Sequence, residues 1–226
     1  MRKLILSVIL FLFAVSPAYS LSNLDDFYGL DSNWTSWYRD KTISIYTPTS
    51  LEANIKITWN SKKGEYLFAL SDEKGNSLAT AQAFKNPEQN SIIFTIKDQE
   101  GKEIGKIIND QFEPYYWSAS LHAILYSAEG APQLEDYFSQ YRGVLESFVH
   151  YHSMFNPGED PDKKFATVSM IVGNALKSSW TIQAQLLNKP YIKDVNIDLR
   201  NYVLFLAIRS EIFNFESEII PLLPTN

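Results

Sequence analysis

The sequence predicts an α+β fold, mainly antiparallel β, with a hydrophobic helix near the C-terminus. Three observations carry this. Ile43 and Ile45, then Ile55, Ile57 and Trp59, alternate with polar neighbours, the period of a strand with one face buried. A near-repeat of apolar alternation followed by Asp-x-x-Gly recurs in the middle of the chain. Finally, residues 202–208 are apolar at every position.

The N-terminus reads as a secretory signal peptide over residues 1–20. Arg2 and Lys3 form the positive end, Leu4 to Val15 is apolar except for Ser7, and Pro17 stops the helix. Ala18-Tyr19-Ser20 then places small residues where signal peptidase needs them, so cleavage is expected between Ser20 and Leu21. A retained anchor is the competing reading, but a spanning helix needs about 20 apolar residues and this run is shorter. Residues 21–226 are expected to form a single domain, exported to the periplasm or secreted.

A lead-in to Arg39 carries the aromatic cluster Trp34-Thr35-Ser36-Trp37-Tyr38. Trp34, Trp37 and Tyr38 could contact a ligand, since such rings join apolar area to a polar tip. They could equally pin the segment onto the domain. After the first alternating runs, Phe68–Ala79 matches Phe94–Gly105 position by position, each with Asp-x-x-Gly at its centre (Asp72 to Gly75, Asp98 to Gly101). Asp accepts bonds from nearby backbone N–H groups and Gly accepts positive φ, so both copies predict hairpins. The expected strands are Tyr66–Leu70 with Leu78–Phe84, and Ile92–Ile96 with Ile104–Ile108. Turn chemistry explains Asp72 and Asp98 without a catalytic role.

Further strands are expected at Tyr115–Trp117 and Leu121–Tyr126. The period then turns helical: Leu134, Tyr137, Phe138, Tyr141, Leu145, Phe148, Val149 and His152 recur at spacings of three and four. This predicts an inserted amphipathic helix over about 133–156, ended by Asn156-Pro157-Gly158. Strands resume at Phe165–Val172 and Trp180–Leu186. Asp198 is a plausible N-cap for the last helix. Apolar all round and too short to span a bilayer, that helix must be surrounded by protein; a buried strand is the competing reading.

Composition excludes several function classes. Losing residues 1–20 removes Arg2 and Lys3 and no acid, so 20 basic and 26 acidic residues become 18 and 26, a net charge of −8. Such a chain repels phosphate backbones, which argues against nucleic acid as a partner. With no cysteine there is no disulfide, thiolate metal site, thiol nucleophile or lipidated cysteine. No phosphate-cradling glycine loop, nucleophile elbow or His-Glu-x-x-His is present, so no catalytic residue and no cofactor is assigned. No metal site is assigned either, because His150 and His152, two apart on a helix, point to different faces. A small exported hydrolase is the rival reading, with its site around His150, His152 and the Glu159–Asp162 loop. Lys62-Lys63 and Lys163-Lys164 are short basic pairs that could meet anionic headgroups.

The hairpins Phe94-Thr95-Ile96-Lys97-Asp98 to Gly101 and Ile104, the partial copy at Phe68–Leu78, and the run Ile197-Asp198-Leu199-Arg200-Asn201-Tyr202-Val203-Leu204-Phe205-Leu206-Ala207-Ile208 resemble the tubby-like barrel, and within it the LURP-one-related proteins. Trp180-Thr181-Ile182-Gln183-Ala184 would be the last strand before the helix. The resemblance implies a closed barrel around the C-terminal helix and a non-enzymatic binding protein, with a lipid surface or a protein as partner. The inserted helix and the signal peptide depart from that family's pattern.

Overall fold

In a computed structural model, residues 29–33, 41–46, 51–60, 62–86, 91–109, 121–142, 148–155, 158, 166–172, 179–186, 197–211 and 223–225 are described. The chain alternates short strands with tight turns: β1 (Gly29–Asn33), β2 (Lys41–Tyr46), β3 (Leu51–Asn60), β4 (Glu65–Asp72), β5 (Ser77–Asn86) and β6 (Ser91–Asp98). It continues through β7 (Glu103–Asn109), β8 (Leu121–Ser127), β9 (Pro132–Arg142), β10 (Phe148–Phe155), β11 (Ala166–Val172) and β12 (Ser179–Leu186), and reaches helix α1 (Leu199–Glu211). The fold is therefore α+β and mostly antiparallel β. Each strand pairs with its chain neighbours. β1 pairs with β2 on one side and with β12 on the other, so the strand order returns on itself.

The expected hairpins form. Gly75 N–H donates to Asp72 O at 3.0 Å and Gly101 N–H to Asp98 O at 3.0 Å, with φ of 86° and 82° at the two glycines. Asp72 Oδ1 accepts the N–H groups of Lys74 and Asn76, and Asp98 Oδ1 those of Glu100 and Lys102. A third copy, not read from the sequence, lies between β8 and β9. There Ser127 replaces the aspartate, its Oγ accepting from Glu129 and Ala131 and its carbonyl from Gly130. Four hairpins, β2–β3, β4–β5, β6–β7 and β8–β9, carry a register shift beside the turn. All four lie at one end of the sheet. Bulges increase local twist, so repeating one at each hairpin curls the sheet in a single sense.

The inserted helix expected over 133–156 is not present; β9 and β10 occupy Leu134–His152 as an antiparallel pair. The true period is two: Leu134 and Asp136 are buried, while Gln133 and Glu135, alternating with them, are only partly so. A carboxylate at an inward position breaks the apolar alternation. Tyr137 and Tyr141 then supply a false three-four spacing in the sequence. The strand expected at Tyr115–Trp117 lies outside the described residues, as do the signal-peptide residues.

α1 starts as its sequence predicts. Asp198 Oδ1 caps it by accepting Arg200 N–H at 2.9 Å, and its carbonyl accepts Tyr202 N–H at 3.0 Å. Every residue from Asn201 to Arg209 is buried. The helix packs on β4, β5 and β7, where the sheet offers small residues: Ala79, Ala81 and Ala83 on β5 and Gly105 on β7. Over those alanines Tyr66, Phe68 and Phe94 meet edge to face, with centroids 5.0 and 5.8 Å apart. Asn201 Nδ2 donates to Ile104 O at 2.7 Å, which draws the helix N-terminus onto β7. Beyond α1, Leu223 is buried in the core, and Pro224 O accepts Lys85 N–H at 2.8 Å.

A Cβ at Gly105 would sit 2.9 Å from Asn201 Cγ, too close for either to stay. Gly105→Ala is therefore expected to destabilise the fold by about 1–3 kcal/mol in urea unfolding. Gly105→Ala with Asn201→Ala should cost less than the two single losses together; full additivity would place the strain elsewhere.

Candidate functional site

The two ends of the sheet differ in chemistry. At the bulged end the turn carboxylates are spent on backbone. The Asn76 side-chain amide, at 2.7 Å, is the main cause holding Asp72 below the ordinary carboxylate range; the N–H groups of Asn76 and Lys74 add to it, against partial desolvation. Asp98 faces Arg200, which is already engaged by Asp198 at 2.6 Å. Asp72 and Asp98 thus serve as turn residues.

At the opposite end the β3–β4 turn projects Lys62 and Lys63, both exposed, with Lys63 N–H donating to Asn60 O at 3.1 Å and Gly64 at φ 64°. Leu67 lies opposite Gln82. Beyond that pair β5 leaves β4, and Lys85 is bridged to Thr225 of the C-terminal segment. Trp59, half-buried, stacks its edge on Tyr66 at 5.8 Å just inside this rim. Two lysines and an indole thus share one rim. Trp34, Trp37 and Tyr38, the other binding candidates, lie outside the described residues, as do Ser20 and Leu21 and the Glu159–Asp162 loop.

His150 and His152 lie on β10, opposite Gln140 and Phe138 of β9. On a strand, residues two apart share a face, so the helical reason for separating them does not hold. The remaining histidine, His122 on β8, sits on the face opposite to Ala123 and Leu125. Its Nε2 meets Glu135 Oε1 at 2.7 Å, and Glu135 Oε2 accepts Gly158 N–H at 3.0 Å. This pair ties the segment after β10 onto the sheet.

Sequence reasoning missed a polar cluster in the interior. Asn109 on β7, Ala123 on β8 and Asp136 on β9 stand in one cross-strand row, all buried. Arg209, from the last turn of α1 and 1% exposed, donates through Nε to Asp136 Oδ2 and through its Nη1 to Asn109 Oδ1 at 3.0 Å. Ala123 leaves the guanidinium its space. Tyr202 lies on the same side of the helix, and burial, then the Asp136 charge, raise its phenol pKa. The available signal was weak: Asp136 follows a second acid, Glu135, and only Arg209, a single base at the end of an apolar helix, stood out. Among the described residues no three His, Asp or Glu side chains gather as around a metal ion, and no helix is long and apolar enough to cross a membrane. No family model, no curated protein and no solved structure matches this chain.

Two outcomes follow. Asp136→Ala strands a buried guanidinium and should cost about 3–5 kcal/mol in chemical unfolding, whereas Asp136→Leu with Arg209→Met should recover most of that loss. An equally unstable double variant would count against the pair. Separately, Asp72 has a folded pKa below its unfolded one. Its turn therefore stabilises fully above about pH 4 and loses that contribution as pH falls through the folded value. Asn76→Ala should move the Asp72 titration upward in a carboxyl NMR experiment; an unmoved curve would remove the amide as its cause.

Proposed function

We propose that this chain is an exported, non-enzymatic binding module, a tubby-like closed barrel around α1, which docks on an anionic lipid surface through the Lys62–Lys63 rim. The fold part is supported by a strand order that returns on itself and by a helix apolar on every side with its face against β4, β5 and β7. Export is supported by the signal-peptide pattern of residues 1–20. The observation that carries the binding reading is the rim itself. Two adjacent lysines stand exposed on a tight turn, and Trp59 offers an amphipathic ring beside it. Lysines near an anionic bilayer contribute about 1 kcal/mol each, and an indole suits the boundary between headgroup and acyl chain. The rim needs no catalytic group to do this.

Co-sedimentation with vesicles, with and without anionic lipid, tests the reading. Binding should require the anionic lipid and fall with added salt. Lys62→Gln with Lys63→Gln should weaken it about thirty-fold, the equivalent of two lysine contacts. These are exposed positions, so the variant should fold normally. Retention that ignores the two lysines would sink the docking surface. No retention on any anionic vesicle would remove the lipid version and point to a protein partner.

A further inference from the structure

The sheet changes partner at the end of β5. β4 and β5 run paired as far as Leu67 and Gln82, and there their pairing stops. β5 continues to Asn86 and stays on β6 throughout, with Asn86 opposite Ser91. β4 meanwhile keeps to β3 as far as Glu65, opposite Asn60. The edge of β5 that β4 gives up is taken by the chain's own C-terminus. Lys85 N–H donates to Pro224 O at 2.8 Å, Lys85 and Thr225 form a parallel bridge, and Leu223 is buried in the core.

A parallel bridge between Lys85 and Thr225 sets Leu223 at the level of Ala83. Both are buried, and the alanine's small side chain leaves space there. Residues of one parity on a strand turn their N–H and C=O to the same edge, so Ala83 O faces the tail as Lys85 N–H does. The residue placed to donate to Ala83 O is Pro224, which has no N–H. That is why the bridge stays isolated: the tail brings a leucine and one acceptor, but its proline cannot extend the ladder.

A sheet edge beside a side-chain seat is the geometry of strand addition, in which backbone bonds give affinity and the seat gives selectivity. We propose that the β5 edge from Ala83 to Lys85 is a docking seam for an extended peptide of a partner protein, carrying leucine followed by a residue with a backbone N–H, and that the chain's own tail is a strap closing the seam in the partner's absence. The tail defines the occupant, a parallel segment with its leucine at the level of Ala83. Its proline also makes it the weaker of two competitors, because the peptide forms the bond to Ala83 O that Pro224 cannot. An edge closed in this way is shielded from indiscriminate pairing. The seam is independent of the lysine rim and of the lipid reading.

Fluorescence anisotropy with the purified full chain tests this. The probe is a labelled peptide of residues 219–226 carrying Pro224→Val, compared with the same peptide in its natural sequence. The valine peptide should bind roughly fivefold more tightly, the worth of one backbone hydrogen bond, and Leu223→Asp in either peptide should abolish binding. Two changes in the chain itself act in opposite directions. Leu223→Ala loosens the strap and should tighten peptide binding about tenfold, since a larger fraction of molecules then has the seam open. Pro224→Val lets the strap extend its ladder and should weaken peptide binding roughly fivefold. Circular dichroism checks that both variants fold. The proposal is overturned if the folded chain binds neither peptide, with or without Leu223→Ala, or if binding ignores both changes in the chain. A Pro224→Val chain that dimerises on size exclusion would make a second copy's tail the occupant and would overturn the external partner.

Discussion

A helix with no polar face still has to end. Here it ends on Arg209, whose guanidinium is buried among strands. A cation taken out of water is tolerated only if it is paired and its donors are satisfied. The sheet meets that demand with one row: Asp136 for charge, Asn109 for a second acceptor, and Ala123 between them with a side chain small enough to leave room. Because the row spans β7, β8 and β9, satisfying one side chain fixes the register of three strands against the helix end. At the other end Asn201 reaches Ile104 O on the same β7. From Asn201 to Arg209 the helix rises about 12 Å, and from Ile104 to Asn109 the strand rises about 16 Å. A long Arg side chain spans the difference.

This two-point attachment depends on how near the helix axis comes to the sheet, which small residues decide. Ala79, Ala81 and Ala83 give β5 a flat inner face, and Gly105 yields its Cβ position to the Asn201 amide. The rings of Phe68 on β4 and Phe94 on β6 meet across β5. Curvature comes from a separate device, the bulge repeated at four hairpins of one end. Three of the four sit beside Asp-x-x-Gly or Ser-x-x-Gly turns, so turn chemistry read from a few residues shapes the sheet at large.

What was legible in the sequence follows the same division. The two Asp-x-x-Gly hairpins, β8, β11, β12 and the capped helix were all readable, because local chemistry dictates them: turn residues, period-two alternation and an N-cap. β9 and β10 were not. Their inner face holds a residue, Asp136, whose presence makes sense only through Arg209, some seventy positions away. A local reading treated it as solvent-facing and shifted the period. The third turn escaped for a milder reason, since Ser127 does by hydroxyl what Asp72 and Asp98 do by carboxylate. The misassigned helix then propagated into chemistry. Two residues apart means opposed on a helix and aligned on a strand, so one error of period also hid the shared face of His150 and His152. Of the rim, Lys62 and Lys63 were visible as a basic pair, but Trp59 joins them only through pairing.

An acidic chain with a basic rim at the β3–β4 turn is less contradictory than its net charge suggests. The strands from one end to the other run eight residues in β4, about 26 Å. At physiological ionic strength the Debye length is about 8 Å. Carboxylates at the bulged end therefore lie some three screening lengths from Lys62 and Lys63, and exert little on a surface those lysines touch. Two of them, Asp72 and Asp98, are also turned onto backbone donors, which spreads their charge into the turn. Approach to an anionic surface is then governed by the nearest end of the molecule, not by the sum over it.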